Sequence, residues 1–204
     1  MPAMLGPACR PGNELSWVGH ALTRRHDRPV TLLGMNVTIR RAVTSDVRGI
    51  RQLIDTYSVE RRLLSKATVT LFESMQEFLV AVRDEDGALV GCGAIHVMWE
   101  DLAEIRTVAV DPSVRGHKIG HRIVTELLSR AVALGVSRVF CLTFETAFFG
   151  SFGFREIDGA PVPPKVYEEL LRSYDEGVAE FLDLERVKPN TLGNARMLLH
   201  LDPA

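Results

Sequence analysis

Cysteine is scarce: three residues, Cys9, Cys92 and Cys141, scattered and odd in number. Such a set makes a poor disulfide framework. With no CxxC pair and no Cys/His cluster of zinc spacing, it offers no metal site either. Cys92 and Cys141 sit in apolar, strand-like runs, where a thiol behaves as a small hydrophobe. A reducing, cytoplasmic setting is expected. No stretch of about 18 apolar residues occurs, which excludes a membrane-spanning helix. Positive charge is not in surplus: 24 Lys+Arg against 26 Asp+Glu leave a net charge of -2. A general grip on nucleic acid needs a basic excess, so nucleic acid is not an expected partner. The Walker pattern GxxxxGK(S/T) and the GxGxxG fingerprint are both missing, which argues against a P-loop site and a dinucleotide fold.

What remains is ordinary globular composition: 204 residues, 46% hydrophobic and 25% charged, enough for one domain. Proline and glycine are uneven. They supply eight of residues 1–34 but only 18 of the other 170. That early segment lacks helical or strand periodicity, and Arg24, Arg25 and Arg28 precede no apolar run of signal-peptide length. The expectation is a disordered extension over 1–34, with Met35 as an alternative start, and a single domain over 35–204.

Within that domain, Asn36–Arg41 reads as a strand. Thr44 offers a capping oxygen to a helix whose Ile50, Leu53, Ile54 and Tyr57 share one face. A short helix is expected over 66–76. Glu77–Val82, the turn Asp84-Glu85-Asp86-Gly87 and Ala88–Met98 make a hairpin, and Leu102–Val110 is a further strand. The clearest helix carries Ile119, Ile123, Val124, Leu127, Leu128, Ala131 and Leu134 on one stripe and ends at Gly135. Val136–Leu142 is a strand, 146–152 a short helix, and Lys165–Tyr174 helical. Val178–Leu182 and Arg196–Leu201 are late strands. The pattern is an α/β domain: a mixed, mostly antiparallel sheet with flanking helices and one parallel β-α-β crossover.

Strand 102–110 runs through Asp111 and Pro112 into Arg115-Gly116-His117-Lys118-Ile119-Gly120 and then the long helix. Backbone N–H groups at a helix start, with the helix dipole, favour a phosphate. Gly116 and Gly120 permit close approach; Arg115, His117 and Lys118 add donors. His117 and His121 stand at a spacing that can hold a metal, but no third ligand accompanies them and no metal is expected.

Glu104–Pro112 followed by Arg115–Gly120 resembles motif A of the GNAT superfamily of N-acetyltransferases, whose loop reads Q/R-x-x-G-x-G/A. Arg115 and Gly120 match its ends, and Lys118 replaces the central glycine. Leu142–Phe154, ending in Phe152-Gly153-Phe154, resembles motif B. The resemblance covers about 36–201. It implies an acetyl-CoA cleft where two central strands splay apart. Pyrophosphate would sit on Arg115, Gly116, His117, Lys118, Ile119 and Gly120, and pantetheine along Val108, Ala109 and Val110. It also implies direct attack of an amine on the thioester, with Glu104 as proton acceptor and the Val108 N–H on the oxyanion. Many members protonate the leaving thiolate with a tyrosine where this chain has Phe149. Water, Tyr167, Tyr174 and Thr143 are the substitutes left open.

A narrower resemblance, to short, kinase-free bacterial N-acetylglutamate synthases, rests on Leu63-Leu64-Ser65-Lys66, Gly91–His96, Leu142-Thr143, Lys188-Pro189-Asn190 and Gly193–Leu198. It implies L-glutamate as acceptor, in the first step of arginine biosynthesis, with Lys66, His96, Arg106, Thr143, Asn194 and Arg196 around it. An amino acid with two carboxylates needs two cationic sites. The partner is thus a small molecule, and a homo-oligomer is compatible with it. Another amine, a protein N-terminus, or acetyl-CoA binding without catalysis are the rival readings.

Overall fold

The computed structural model describes residues 35–58, 63, 66–184 and 194–201. The expectations for 1–34, Leu64, Ser65, Lys188, Pro189, Asn190 and Gly193 fall outside these described residues. The order is β1 (Val37–Arg41), α1 (Val47–Ser58), α2 (Thr68–Glu73), β2 (Phe78–Arg83), β3 (Leu89–Trp99), β4 (Leu102–Val110), α3 (Ile119–Ala133), β5 (Arg138–Thr143), α4 (Thr146–Gly150), β6 (Arg155–Glu156), α5 (Pro164–Leu170), α6 (Glu176–Phe181) and β7 (Ala195–His200). The seven strands form one sheet in the order β1-β2-β3-β4-β5-β7-β6. Every pair is antiparallel except β4 with β5. The α/β fold expected from the sequence is the fold found.

Alternation of apolar residues divides the molecule into layers. Leu79 and Ala81 of β2 join Ile123, Val124, Leu127 and Ala131 of α3 in one cluster. Phe78 and Val80 point the other way, onto Val47, Ile50 and Ile54 of α1. A third cluster sets Val178 and Phe181 of α6 against Leu102, Phe140 and Leu198.

Two local expectations are corrected. The chain enters α1 through a 3-10 turn over Thr44–Asp46, and the capping oxygen is not that of Thr44. Asp46 accepts the Val43 N–H at 2.8 Å and two Arg40 N–H groups at 2.6 and 2.9 Å. A carboxylate serves both, which one hydroxyl does not. The second correction is Val178–Leu182, which is helix and not strand. Asp175 accepts the Val178 N–H at 3.1 Å, opening α6. Apolar residues at 178, 179, 181 and 182 satisfy either period in so short a run. Their common burial is settled by α6 lying against the sheet. Leu134, expected on the buried stripe of α3, is 52% exposed at the C-terminal cap. Gly135 turns the chain there at φ 81°.

β4 carries the irregularity that matters most. Cys92 pairs with Ala109, but Ala94 pairs with Arg106, so β4 holds one extra residue opposite Gly93. Thr107 takes φ 58° in this bulge. The bulge inverts the alternation. Ala103 and Ile105 face α3 before it, Val108 and Val110 after it.

Helix α3 packs close because β3 presents glycines. A Cβ placed on Gly93 would stand 2.8 Å from Ile123 Cγ2 and 3.0 Å from Leu127 Cδ1; one on Gly91, 2.9 Å from Ile123 Cδ1. Gly93→Val is therefore expected to destabilise the fold by about 1–3 kcal/mol, as overpacked cores do. The thermal midpoint should fall by several degrees, on roughly 2–4 °C per kcal/mol at this size. A midpoint equal to that of the parent would contradict the close packing.

Candidate active site

The parallel pairing of β4 and β5 runs only from Leu102–Arg138 to Glu104–Phe140. Beyond it β5 stays with β7 through Thr143, while β4 stays with β3 through Val110. The gap is a cleft of about 480 Å³. Val108, Ala109 and Val110 form one side, Leu142 and Thr143 the other, and Arg115 and Gly120 the far end. The splayed strands expected from the sequence are present, and these expected residues meet in one place.

At that end, Asp111 accepts the Ser113 N–H at 2.8 Å and its hydroxyl at 2.7 Å, fixing a 3-10 turn over Pro112–Val114. Gly116 follows at φ 88°. Lys118 adopts the left-handed conformation at φ 56° as the residue before α3, a cost of about 1–2 kcal/mol for a side-chain-bearing residue. The loop thus keeps its path without the central glycine. Gly116, His117, Lys118 and Ile119 do not line the cleft. His117 Nδ1 lies 3.1 Å from the Val114 carbonyl, and Ile119 is buried under the sheet. A Cβ on Gly120 would reach Phe148 Cζ at 3.5 Å and Val110 Cγ2 at 3.6 Å, both cleft residues, so a larger side chain enters the cleft.

Glu104, the last residue of β4 paired with β5, lines not this cleft but a smaller cavity next to it; it is 4% exposed, and its Oε2 has no hydrogen-bond partner among the described residues. Burial pushes its carboxyl up to about 7, with Arg106 opposing and Asp175 adding to the rise. Arg106 Nη1 stands 3.6 Å from Glu104 Oε2. Its firmer bonds go elsewhere: to both Asp175 oxygens at 3.0 and 2.8 Å and to Glu77 Oε2 at 2.9 Å. His96 Nδ1 lies 2.7 Å from Glu77 Oε1. Arg106 and His96 were expected to meet substrate carboxylates; the structure gives both of them protein carboxylates instead. Glu77, just ahead of β2, and Asp175, at the head of α6, supply those carboxylates.

A second cavity, about 100 Å³, adjoins Glu104 and is lined by Lys66, Arg106, Asn194, Glu176 and Glu180 as well. Asn194 reaches both cavities. Arg196 lines neither. Its Nη2 donates to the Phe181 carbonyl, and its buried Nε has no hydrogen-bond partner among the described residues. Of the hydroxyls left open, Thr143 lines the cleft, with its Oγ1 accepting the Glu145 N–H at 2.9 Å. Tyr174 is 97% exposed. Phe149 is buried, edge-on to Phe148 and Phe154.

Comparison with known proteins decides the family. The model of the acetyltransferase (GNAT) family matches residues 48–154. An amino-acid acetyltransferase of Mycobacterium tuberculosis is 61% identical over 164 residues, covering 80% of this chain and 94% of that one. The chain belongs to the GNAT acetyltransferase family. It is therefore an acyltransferase, and acetyl-CoA is its co-substrate. A crystal structure of a Mycobacterium tuberculosis protein in complex with CoA and NLQ superposes at a TM-score of 0.78, with 60% identity, over 81% of this chain and 99% of that one. The N-acetylglutamate synthase of Neisseria gonorrhoeae, complexed with coenzyme A and N-acetyl-glutamate, shares the fold at a TM-score of 0.66 and 24% identity. That match covers 82% of this chain but only 35% of the longer enzyme.

Sequence reasoning overlooked several residues of this GNAT site. Tyr57 was placed only on a buried helix face, yet it lines the cleft and donates its hydroxyl to the Val110 carbonyl. Glu77, Asp175, Glu176, Gly177 and Glu180 were not singled out. Assigning 178–182 as a strand hid the last four. An aspartate ahead of apolar residues at helical spacing was the signal available.

The raised carboxyl of Glu104 has a consequence for stability. Below its ordinary value of 4.5 both folded and unfolded chains hold the proton. As pH rises from there to about 7, the folded chain retains a proton the unfolded chain has lost, and stability falls. Glu104→Gln removes that loss. Its unfolding midpoint should exceed the parent's at pH 8, and the gap should close toward pH 4. A gap independent of pH would show that Glu104 is not held protonated by burial.

Proposed function

We propose that this acetyltransferase modifies the α-amino group of an amino acid, L-glutamate first, and so serves as an N-acetylglutamate synthase at the entry to arginine biosynthesis. The observation that carries the reading is Glu104: a buried carboxyl, without a hydrogen-bond partner on Oε2, on a small cavity that shares Arg106, Thr107, Leu142 and Asn194 with the cleft. A carboxyl whose affinity for protons lies near neutrality is suited to take one from an ammonium. The amino-acid acetyltransferase name of the Mycobacterium tuberculosis relative and the N-acetyl-glutamate bound by the Neisseria gonorrhoeae enzyme support the choice of acceptor. Residues 35–204 are assigned the reaction, with 1–34 as an extension outside it.

In this reading the pyrophosphate of acetyl-CoA lies on the loop Arg115–Gly120 and its pantetheine runs along Val108–Val110. Glu104 takes a proton from the ammonium, and the amine attacks the thioester directly. Of the described cysteines, neither is placed to carry the acetyl group. Burial pushes the Cys92 thiol up to about 12 and the Cys141 thiol higher still, so no thiolate is present near neutral pH. The backbone N–H of Val108, next to the bulge at Thr107, stabilises the oxyanion. Lys66 and Asn194, on the second cavity, and Thr143, on the cleft, are the side chains for the glutamate carboxylates; Arg196 stands behind them, bonded to the Phe181 carbonyl. Arg106 and His96 act through Glu77 and Asp175, holding them in place.

Two tests separate the subsites. Gly120→Val should raise the acetyl-CoA KM far more than the amino-acid KM, because its side chain intrudes at the phosphate end. Equal rises would move the phosphate site elsewhere. Lys66→Ala should raise the glutamate KM by about 10- to 100-fold, the range for about 1.5–3 kcal/mol of charged hydrogen bonding, with the acetyl-CoA KM flat. In thiol-release assays glutamate should lead, glutamine follow and spermidine fail. The acidic lining of the second cavity gives the spermidine arm its force: faster turnover of spermidine would replace the amino acid by a cationic amine.

A further inference from the structure

The reaction proposed above leaves a proton to dispose of. An ammonium R–NH3+ and acetyl-CoA become an amide R–NH–acetyl, free CoA thiol and one H+. Nitrogen loses two protons. The thiolate takes one, and the other must reach solvent. Glu104, the acceptor in that reading, is 4% exposed and cannot deliver it to bulk water directly. Its side chain, whose Oε2 has no hydrogen-bond partner among the described residues, belongs to the lining of the 100 Å³ cavity that Glu180 and Glu176 also line.

Glu180 is buried at 6% exposure and Glu176 is exposed. They stand four residues apart on α6, on one face, where two like charges destabilise a helix. Glu176 in the first turn suits the helix dipole, but the buried Glu180 has no such ground, whereas a proton path uses both: one carboxyl inside, the next at the surface. Gly177 sits between them in sequence. A Cβ there would lie 2.0 Å from Glu104 Oε2, so any larger residue would displace that carboxyl from its place against α6. Asp175 fixes the approach, accepting the Val178 N–H at 3.1 Å while binding Arg106 through both oxygens. The surrounding charges are Lys66 and Arg106 on the cavity and Glu77 and His96 behind Arg106.

We propose that Glu180 and Glu176 form the exit path for the substrate's proton, carrying it from Glu104 along one face of α6 to solvent. The proton taken from the ammonium by the Glu104 carboxylate passes across the cavity to Glu180, then to Glu176 and water, and Glu104 returns to its basic form. Glu180 relays; it does not touch the reacting atoms. Its affinity for protons matches the task, since burial, with Glu104 and Glu176 adding to it, pushes its carboxyl up to about 7.

The test is steady-state thiol release by the full chain with acetyl-CoA and L-glutamate, in dilute and in concentrated imidazole. A mobile buffer replaces a missing relay but does not repair a distorted site. Glu180→Gln should lose about tenfold or more of kcat in dilute buffer, at the low end of what proton-transfer groups contribute. It should recover most of that in concentrated imidazole, with an unchanged acetyl-CoA KM. Glu176→Gln should lose less and be rescued in the same way, and Glu180→Asp should retain part of the activity without buffer. The wild type should be indifferent to imidazole. An undiminished kcat for Glu180→Gln in dilute buffer, or a loss that imidazole leaves untouched, overturns the path. A wild type that releases no thiol with any amino acid overturns the reaction reading instead, and the two failures are told apart by which protein is silent.

Discussion

The separation of two parallel strands governs this structure. β4 and β5 share three residue pairs, ending at Glu104 and Phe140, and then follow different neighbours. Unpaired backbone edges inside a protein are costly unless something occupies them. In the proposed function acetyl-CoA fills the gap. The bulge at Thr107 belongs to the same event. By adding one residue to β4 it restores pairing with β3 on the far side, so the strand bends away from β5 without losing its other partner. Its left-handed φ is a local strain held by the packing on both faces of the sheet.

From that parting follows the position of Glu104. It is the last residue of β4 that still pairs with β5, so its carboxyl emerges where the cleft begins. Its side chain leaves the sheet on the face that carries α6, and α6 closes over it with a glycine at the point of contact. Burial without a full set of hydrogen bonds then raises its proton affinity. Asp175 ties these parts together, since it both opens α6 and neutralises Arg106. A free Arg106 would favour the ionised Glu104 more strongly. Bound to Asp175 and Glu77, the guanidinium balances two other carboxylates as well. The cavity beside Glu104 is accordingly acidic, with Glu176 and Glu180 on it, and its cations are Arg106 of β4 and Lys66.

Much of this was legible beforehand, and for definite reasons. The stripe of Ile119, Ile123, Val124, Leu127 and Ala131 has one reading, a long amphipathic helix, and it is one. Leu102–Val110 is bounded by charge and Asp-Pro, and its limits hold to the residue. Arg115 and Gly120 meet at the cleft as the sequence suggested, despite Lys118 at the central place, because the loop's path depends on Gly116 and the turn that Asp111 fixes. Residues 178–182 were misread because four apolar residues in five satisfy both periods.

The sequence by itself determined the local elements, the loop at the head of α3 and the presence of a carboxylate at the start of β4. These are properties of neighbouring residues, and helical and strand periods record them. Only the tertiary structure decided which charges meet. Arg106 and Asp175 stand 69 residues apart and bond through both oxygens. His96 and Glu77 come together across the β2–β3 hairpin and its edge, and Glu180 reaches the cavity beside Glu104 from a helix folded back over the sheet. Such pairings carry no periodic trace in the chain. Those of Asp175 and Glu180 are set by where α6 packs, and that depends on the apolar cluster of Val178 and Phe181 with residues of four different strands.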